Sequence, residues 1–113
     1  MKKIVLFFLC FIIFTKILLA QKYIAPNGDD ANPGTMELPF ATFPKAISEA
    51  MAGDTIYVRG GTYNLTTTIT ISAAKSGTED QLITLTAFND EIPILDFSGQ
   101  PFGSKGISLR SNY

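Results

Sequence analysis

The chain has 113 residues, 46% of them hydrophobic, with 9 basic against 10 acidic side chains and no histidine. Lacking histidine, it offers no imidazole metal ligand and no Ser-His or Cys-His catalytic pair. No basic stripe accompanies this near-balance of charge, so nucleic acid is excluded as an expected partner.

Lys2 and Lys3 precede an unbroken apolar run from Ile4 to Phe14, and Ala20 offers a small residue for cleavage before Gln21. Residues 1–20 therefore read as a secretory signal peptide, with export of the remainder to a secreted, extracytoplasmic location. Leu18 is bulkier than usual for a cleavage site. The rival reading, a retained anchor over residues 4–20, is short for a span and is interrupted by Lys16. No stable membrane span is expected after cleavage. The sole cysteine, Cys10, leaves with the signal, so the mature 93 residues contain no disulfide. They carry 6 basic and 10 acidic residues, a net charge near −4.

"KYIAP" (22–26) predicts a short entry strand ended by proline. "NGDDANPGT" (27–35) consists of turn formers and predicts a loop. In "FPKAISEAM" the period changes: Phe43, Ala46, Ile47, Ala50 and Met51 fall on one helical face. Thr42 is the candidate N-cap, Pro44 suits the first turn and Gly53 is the expected stop. Residues 21–53 thus form an entry strand, a loop and one short amphipathic helix.

From residue 54 onward short β-branched runs alternate with Gly, Asn, Ser and Pro: "TIYVR" (55–59), "LTTTITI" (65–71), "LITLTAF" (82–88), "IPILDF" (92–97) and "GISLR" (106–110). Ile56 alternates with Val58, Ile69 with Ile71, Ile83 with Leu85 and Ile107 with Leu109, which buries one face of each run. Ile56 to Ile83 is 27 residues, Ile69 to Ile94 is 25 and Ile83 to Ile107 is 24. Periods in the twenties, each with strand and turn, predict an all-β solenoid, a parallel β-helix whose coils stack about 4.8 Å apart. Such short strands suffice when the next coil pairs with their edge. An antiparallel sandwich, with Gly60-Gly61 as a hairpin turn, is the alternative.

"YIAPNGDDANPGT", "PFATFPKAISEAMAGDTIYVRGGTYN", "SGTEDQLITLTAF" and "PILDFSGQ…KGISLRSNY", in that order, resemble the N-terminal region of secreted right-handed parallel β-helix proteins. The likeness is greatest to polysaccharide lyase family 9, the pectate lyases, and covers nearly all of residues 22–113. The resemblance implies that the helix caps the open end of the solenoid and that residues 54–113 are its first coils. It also implies β-elimination on an acidic polysaccharide, with a lysine base and a calcium held by aspartates on later coils. Those positions lie beyond Tyr113, so no catalytic or metal-binding residue is carried onto this chain, and its substrate-binding residues stay unassigned.

The same chemistry makes specific demands on the residues of this chain. Elimination next to a uronate carboxylate needs a base and positive charge, which calcium supplies when several oxygens converge. Asp29 and Asp30 with Asn27 and Asn32 are the best calcium candidate, against a solvated Asx turn. Glu79-Asp80 and Asp90-Glu91 are adjacent pairs that point apart on extended chain, poor acid/base dyads. Asp54 is expected to fix the turn into its strand. Arg59, at a strand end beside Gly60-Gly61, is the candidate for a uronate carboxylate, against a rim pair with a loop acid. Lys45, Lys75 and Lys105 read as helix-face or loop residues, Thr66 to Thr68 and Thr70 as an exposed strand face. Tyr57, Tyr63 and Phe88 read as packing residues rather than sugar platforms.

A solenoid needs about three or more repeats and a cap at each end. Here one cap and roughly two coils are expected, the last of them presenting Ile107 and Leu109 and a bare edge to water. The chain is therefore expected to be truncated, needing further C-terminal coils or self-association for stability. The functional expectation is the N-terminal part of an exported pectate-lyase-like enzyme. Competing readings are a non-catalytic β-helix module for glycan binding or surface adhesion, and a small self-contained all-β binding domain.

Overall fold

The computed structural model describes residues 20–110, so the signal-peptide reading of residues 1–20 falls outside the description except at Ala20. In chain order the elements are β1 (Gln21–Ile24), α1 (Phe43–Glu49), β2 (Thr55–Val58), β3 (Gly61–Asn64), β4 (Ile69–Ile71), a 3-10 turn (Ala73–Lys75), β5 (Thr84–Ala87), β6 (Pro93–Asp96) and β7 (Ile107–Leu109). All pairings between these strands are parallel, in three sheets ordered β1-β2-β5, β3-β6 and β4-β7. Strands β2, β3 and β4 therefore make one coil, and β5, β6 and β7 lie on them in the same order. This is a parallel β-helix, and the antiparallel sandwich is overturned. Gly61 turns no hairpin; at φ +119° it forms the corner from which β3 starts.

The stacking offsets differ from the sequence expectation. Ile56 sits on Leu85, Thr62 on Ile94 and Ile69 on Ile107, offsets of 29, 32 and 38 residues rather than 27, 25 and 24. The corners between strands lengthen from one coil to the next, so no single period exists. The run 65–71 contributes only Ile69–Ile71 to a strand.

The alternation places Ile56, Val58, Tyr63 and Ile69 inward, where each is at most 5% exposed. Burying such side chains contributes about 1.5–3 kcal/mol each. Helix α1 packs Phe43, Ala46 and Ile47 into this interior, against β1 and β4. Thr42 caps it, accepting from the Lys45 amide at 3.3 Å, and Pro44 stands in the first turn, as the sequence predicts. The helix ends at Glu49 rather than Met51. Ala50 is already extended, so Met51 leaves the apolar face and is 73% exposed. Gly53, at φ +87°, instead shapes the turn into β2, where the buried Asp54 accepts from the Met51 amide at 2.9 Å. Opposite the helix the second coil is open: Ile107 is 48% and Leu109 72% exposed.

Tyr63 ties the layers together. Its hydroxyl donates to a backbone carbonyl, with Ile24 O at 3.1 Å and Arg59 O at 2.7 Å, and its ring meets Phe43 edge to face. Burial, with the nearby Glu91 charge adding to it, pushes its phenol up from 10.0 to about 12. The phenol stays protonated in the folded state above the pH at which it ionises unfolded. Stability is therefore expected to fall as pH rises from about 10 through about 12. A phenolate absorbance titration checks this: Tyr63 should ionise only together with the loss of circular dichroism, and Tyr63→Phe should remove that coupling.

Candidate functional site

Arg59 follows β2 at a corner, its amide held by Ile24 O at 2.8 Å. Asn89, in the left-handed region at φ 49°, turns the next coil so that Glu91 lies beneath it. The pair is bidentate: Arg59 Nε lies 3.1 and 3.0 Å from Glu91 Oε1 and Oε2, and Nη2 lies 2.9 Å from Oε1. Glu91 Oε2 also accepts from the Gly60 amide at 2.6 Å, and the guanidinium stacks 4.9 Å from the Phe88 centroid. The hydrogen bonds from Arg59 hold the Glu91 carboxyl below its ordinary value, with the Gly60 amide helping; Glu91 in turn raises Arg59. A groove of about 500 Å³ opens beside them, also lined by Asn27, Asn32 and Glu37. Of the two readings of Arg59, the structure has the rim pair with a loop acid: its cation is neutralised by Glu91, and a carboxylate ligand would have to displace that partner.

Removing the Glu91 charge should loosen the corner between the coils. Because the folded Glu91 pKa is depressed, its contribution is complete above about pH 4.5 and disappears as pH falls through the lower folded value. Glu91→Gln is expected to melt a few degrees below the parent at neutral pH and level with it in strong acid. Thermal melts across that range, at low and high salt, check the sign.

The calcium candidates are committed elsewhere. Asp30 Oδ1 accepts from the Ala41 and Thr42 amides at 2.9 and 3.0 Å, and Oδ2 from the Thr42 hydroxyl at 2.7 Å. Burial acts to raise the Asp30 pKa, yet the hydrogen bonds from Thr42 and Ala41 outweigh it and hold the carboxyl below its ordinary value. Asp29 Oδ1 accepts from the Ala31 amide at 2.8 Å, an Asx turn, and Asn32 donates to Pro39 O at 3.0 Å. With these oxygens facing N–H and O–H donors, the cluster does not fit a calcium cage. Among the described residues no three His, Cys, Asp or Glu side chains converge on one point.

The other charged groups have structural partners or lie in solvent. Lys45 pairs with Glu49 at 2.8 Å, an i,i+4 bridge. Lys75 donates to Ser48 O and Ala50 O at 2.8 and 3.1 Å, so it closes the C-terminus of α1 from the turn after β4, a role the sequence did not disclose. The Lys105 carbonyl accepts from the Thr68 hydroxyl. Glu79, Asp80 and Asp90 are exposed in turns. Tyr57 stacks on Tyr23 at 5.3 Å, and Phe88 stands edge-on to both at 5.6 Å. These rings pack on one another outside the coil.

A second groove, of about 380 Å³, runs between the start of α1 and β3. Thr62, Asn64, Thr66 and Thr67 line it together with Pro26 and Pro44. No sequence pattern announces it, because it arises from the distance between the helix and the first strand of a sheet.

No helix of the described residues is long and apolar enough to cross a membrane. Residues 22–113 match the family model described as Pel9A-like, right handed beta helix region. The chain is 42% identical over 98 residues to pectate lyase L of Paenibacillus polymyxa, a match covering 87% of this chain and 22% of that protein. It is 40% identical over 84 residues to pectate lyase PEL9 of Emericella nidulans, covering 74% of this chain and 20% of that one. The chain thus spans about a fifth of the curated relatives it matches. Among solved structures, a glycoside hydrolase matches 67% of this chain and 14% of its own at TM-score 0.63 and 32% identity. A rhamnogalacturonan lyase matches 79% of this chain and 25% of its own at TM-score 0.62 and 31% identity. With three parallel sheets stacked coil on coil and a family match over nearly the whole described chain, the protein belongs to the Pel9A-like right-handed β-helix family.

Proposed function

We propose that this chain is the N-terminal part of an exported polysaccharide lyase that, in longer form, cleaves pectate or a related uronate polysaccharide by β-elimination. Residues 1–20 direct export, residues 21–53 cap the solenoid and residues 54–113 form its first coils. One observation carries the reading: the chain matches pectate lyases about four times its length at about 40% identity. The open apolar end of the second coil, with Ile107 and Leu109 exposed, supports it, since parallel coils can continue from there in register. The base and the calcium that assist elimination belong to residues beyond this chain, because the lysines and carboxylates described above are committed to pairs, caps and turns. The role of this part is to cover one end of the interior and to template the coils that follow.

The test is to read the source coding sequence past codon 113 and to produce the longer protein. Elimination leaves an unsaturated uronate end that absorbs in the ultraviolet, so pectate should gain absorbance with the longer protein, and a chelator should abolish the gain. A stop codon at that point, or a longer protein that binds pectate without producing unsaturated ends, would replace this reading with a non-catalytic exported module.

A further inference from the structure

We propose that the groove between α1 and β3 is a binding subsite for uncharged sugar residues, separate from any site for the acidic polymer backbone. The inference rests on the polysaccharide reading for its ligand class, but the site is argued from its own atoms. Strand β3 pairs only with β6, through the groups of Gly61, Tyr63 and Leu65; Gly61 N reaches Ile92 O at 3.2 Å and Leu65 N reaches Asp96 O at 2.7 Å. By the alternation of a parallel ladder, the backbone N–H and C=O of Thr62 and Asn64 point the other way, along an edge that no strand of the described residues covers. That edge lies at the groove. Each such residue presents a donor and an acceptor side by side, which is what a sugar hydroxyl, itself donor and acceptor, can satisfy.

The side chains extend the same chemistry. Thr62, Asn64, Thr66 and Thr67 line the groove and have no side-chain hydrogen-bond partner among the described residues, whereas Thr68 and Thr42 are engaged with Lys105 O and Asp30. No lining residue is charged, in contrast to the groove holding Arg59, Glu91 and Glu37. A uronate carboxylate would lose its hydration here with no cation to compensate, while a neutral ring loses nothing comparable. The volume of about 380 Å³ falls within the usual range for ligand pockets, about 300–1,000 Å³. An extended peptide is the other ligand for an open strand edge. It is disfavoured here because two of the lining residues, Pro26 and Pro44, have no backbone N–H to offer a pairing peptide.

The experiment uses the full 113-residue chain and saturation-transfer NMR with three probes: neutral galacto-oligosaccharides, neutral arabino-oligosaccharides and oligogalacturonates. At least one neutral probe should bind, with an affinity insensitive to salt. The double variant T62V/N64A, at two exposed positions, should weaken that binding at least tenfold with unchanged circular dichroism. Binding of oligogalacturonate, wherever it occurs, should be untouched by the variant. No neutral probe bound at millimolar concentration, neutral binding that survives the double variant, or a groove that takes an extended peptide instead would each overturn the proposal. None of these readings depends on elimination activity, so failure of the lyase reading and failure of the subsite are seen separately.

Discussion

Replacing Phe43 by alanine is expected to lower the unfolding free energy by about 3–5 kcal/mol. Phe43 is the first residue of α1, is 1% exposed, and belongs to the cluster formed with Ile24, Ala46, Ile56, Val58 and Ile69. Its ring meets Tyr63 at 5.3 Å and 66°, an edge-to-face pair that adds about 0.5–1.5 kcal/mol to simple burial. Truncation would leave a cavity between the helix and the first coil that neither can close. The helix is seven residues long and its backbone is fixed at both ends, by Thr42 with Asp30 and by Lys75. Small domains hold about 5–15 kcal/mol in all, so the loss would be a large share of the total. Urea unfolding of the parent and of Phe43→Ala measures it. Met51→Ala, at a position 73% exposed, is the comparison and should stay within about 0.5 kcal/mol. A loss below about 1 kcal/mol for Phe43→Ala would show that the helix does not seal the interior in solution.

The helix was legible because its apolar positions recur at i, i+3, i+4 and i+7, a pattern that only one face of a helix buries. Its end was not, since Met51 continues the period while the chain has already turned extended at Ala50. The solenoid was legible from alternation within short runs, and from the family resemblance that the match to the Pel9A-like model bears out. The offsets were misread because isoleucine was matched to isoleucine: the true partner of Ile56 is Leu85, and Ile83 lies just outside β5. Strand β3 was hidden in "GTYN", where one apolar residue among turn formers shows no alternation, and its pairing with β6 comes from the fold.

The site depended on the same register. Arg59 and Glu91 are 32 residues apart, the offset that joins Thr62 to Ile94, so Glu91 is the stacked equivalent of Arg59 one coil later. With an expected offset near 25 that partner could not be chosen from the several loop acids. The Asx turn at Asp29 followed from local turn chemistry and was foreseen. The clamp of Asp30 on Thr42, twelve residues away, was not, because it requires the intervening loop to double back.

That doubled loop makes Gly28 the position where the smallest substitution should do great damage. Residues 25–40 return on themselves: Ala25 N bonds Phe40 O at 3.0 Å, Phe40 N bonds Tyr23 O at 2.8 Å, and Asp29 N bonds Pro39 O at 3.1 Å. Gly28 lies flat against this return, its own amide bonded to Ala25 O at 2.9 Å. A Cβ there would stand 2.1 Å from Phe40 O, 2.5 Å from Phe40 C and 2.8 Å from Pro39 O. All three are backbone atoms, so no rotamer change relieves the clash. Either the return strand moves, drawing Phe40 from a position 2% exposed, or the turn opens and Asp30 loses Thr42. Overpacking costs about 1–3 kcal/mol where side chains can adjust, and burial of a phenylalanine contributes about 1.5–3 kcal/mol. Gly28→Ala is therefore expected to cost about 3 kcal/mol or more. Gly99→Ala separates this close approach from the entropy of glycine itself, because its nearest neighbour, Thr66 Cγ2, would be in ordinary contact at 3.5 Å. Paired urea midpoints give the comparison, and hydrogen exchange at the Ala25 and Phe40 amides locates the damage. If Gly28→Ala unfolds with the parent and keeps both amides protected, the loop does not dock on itself. Thr42 and the start of α1 would then be held by the core alone.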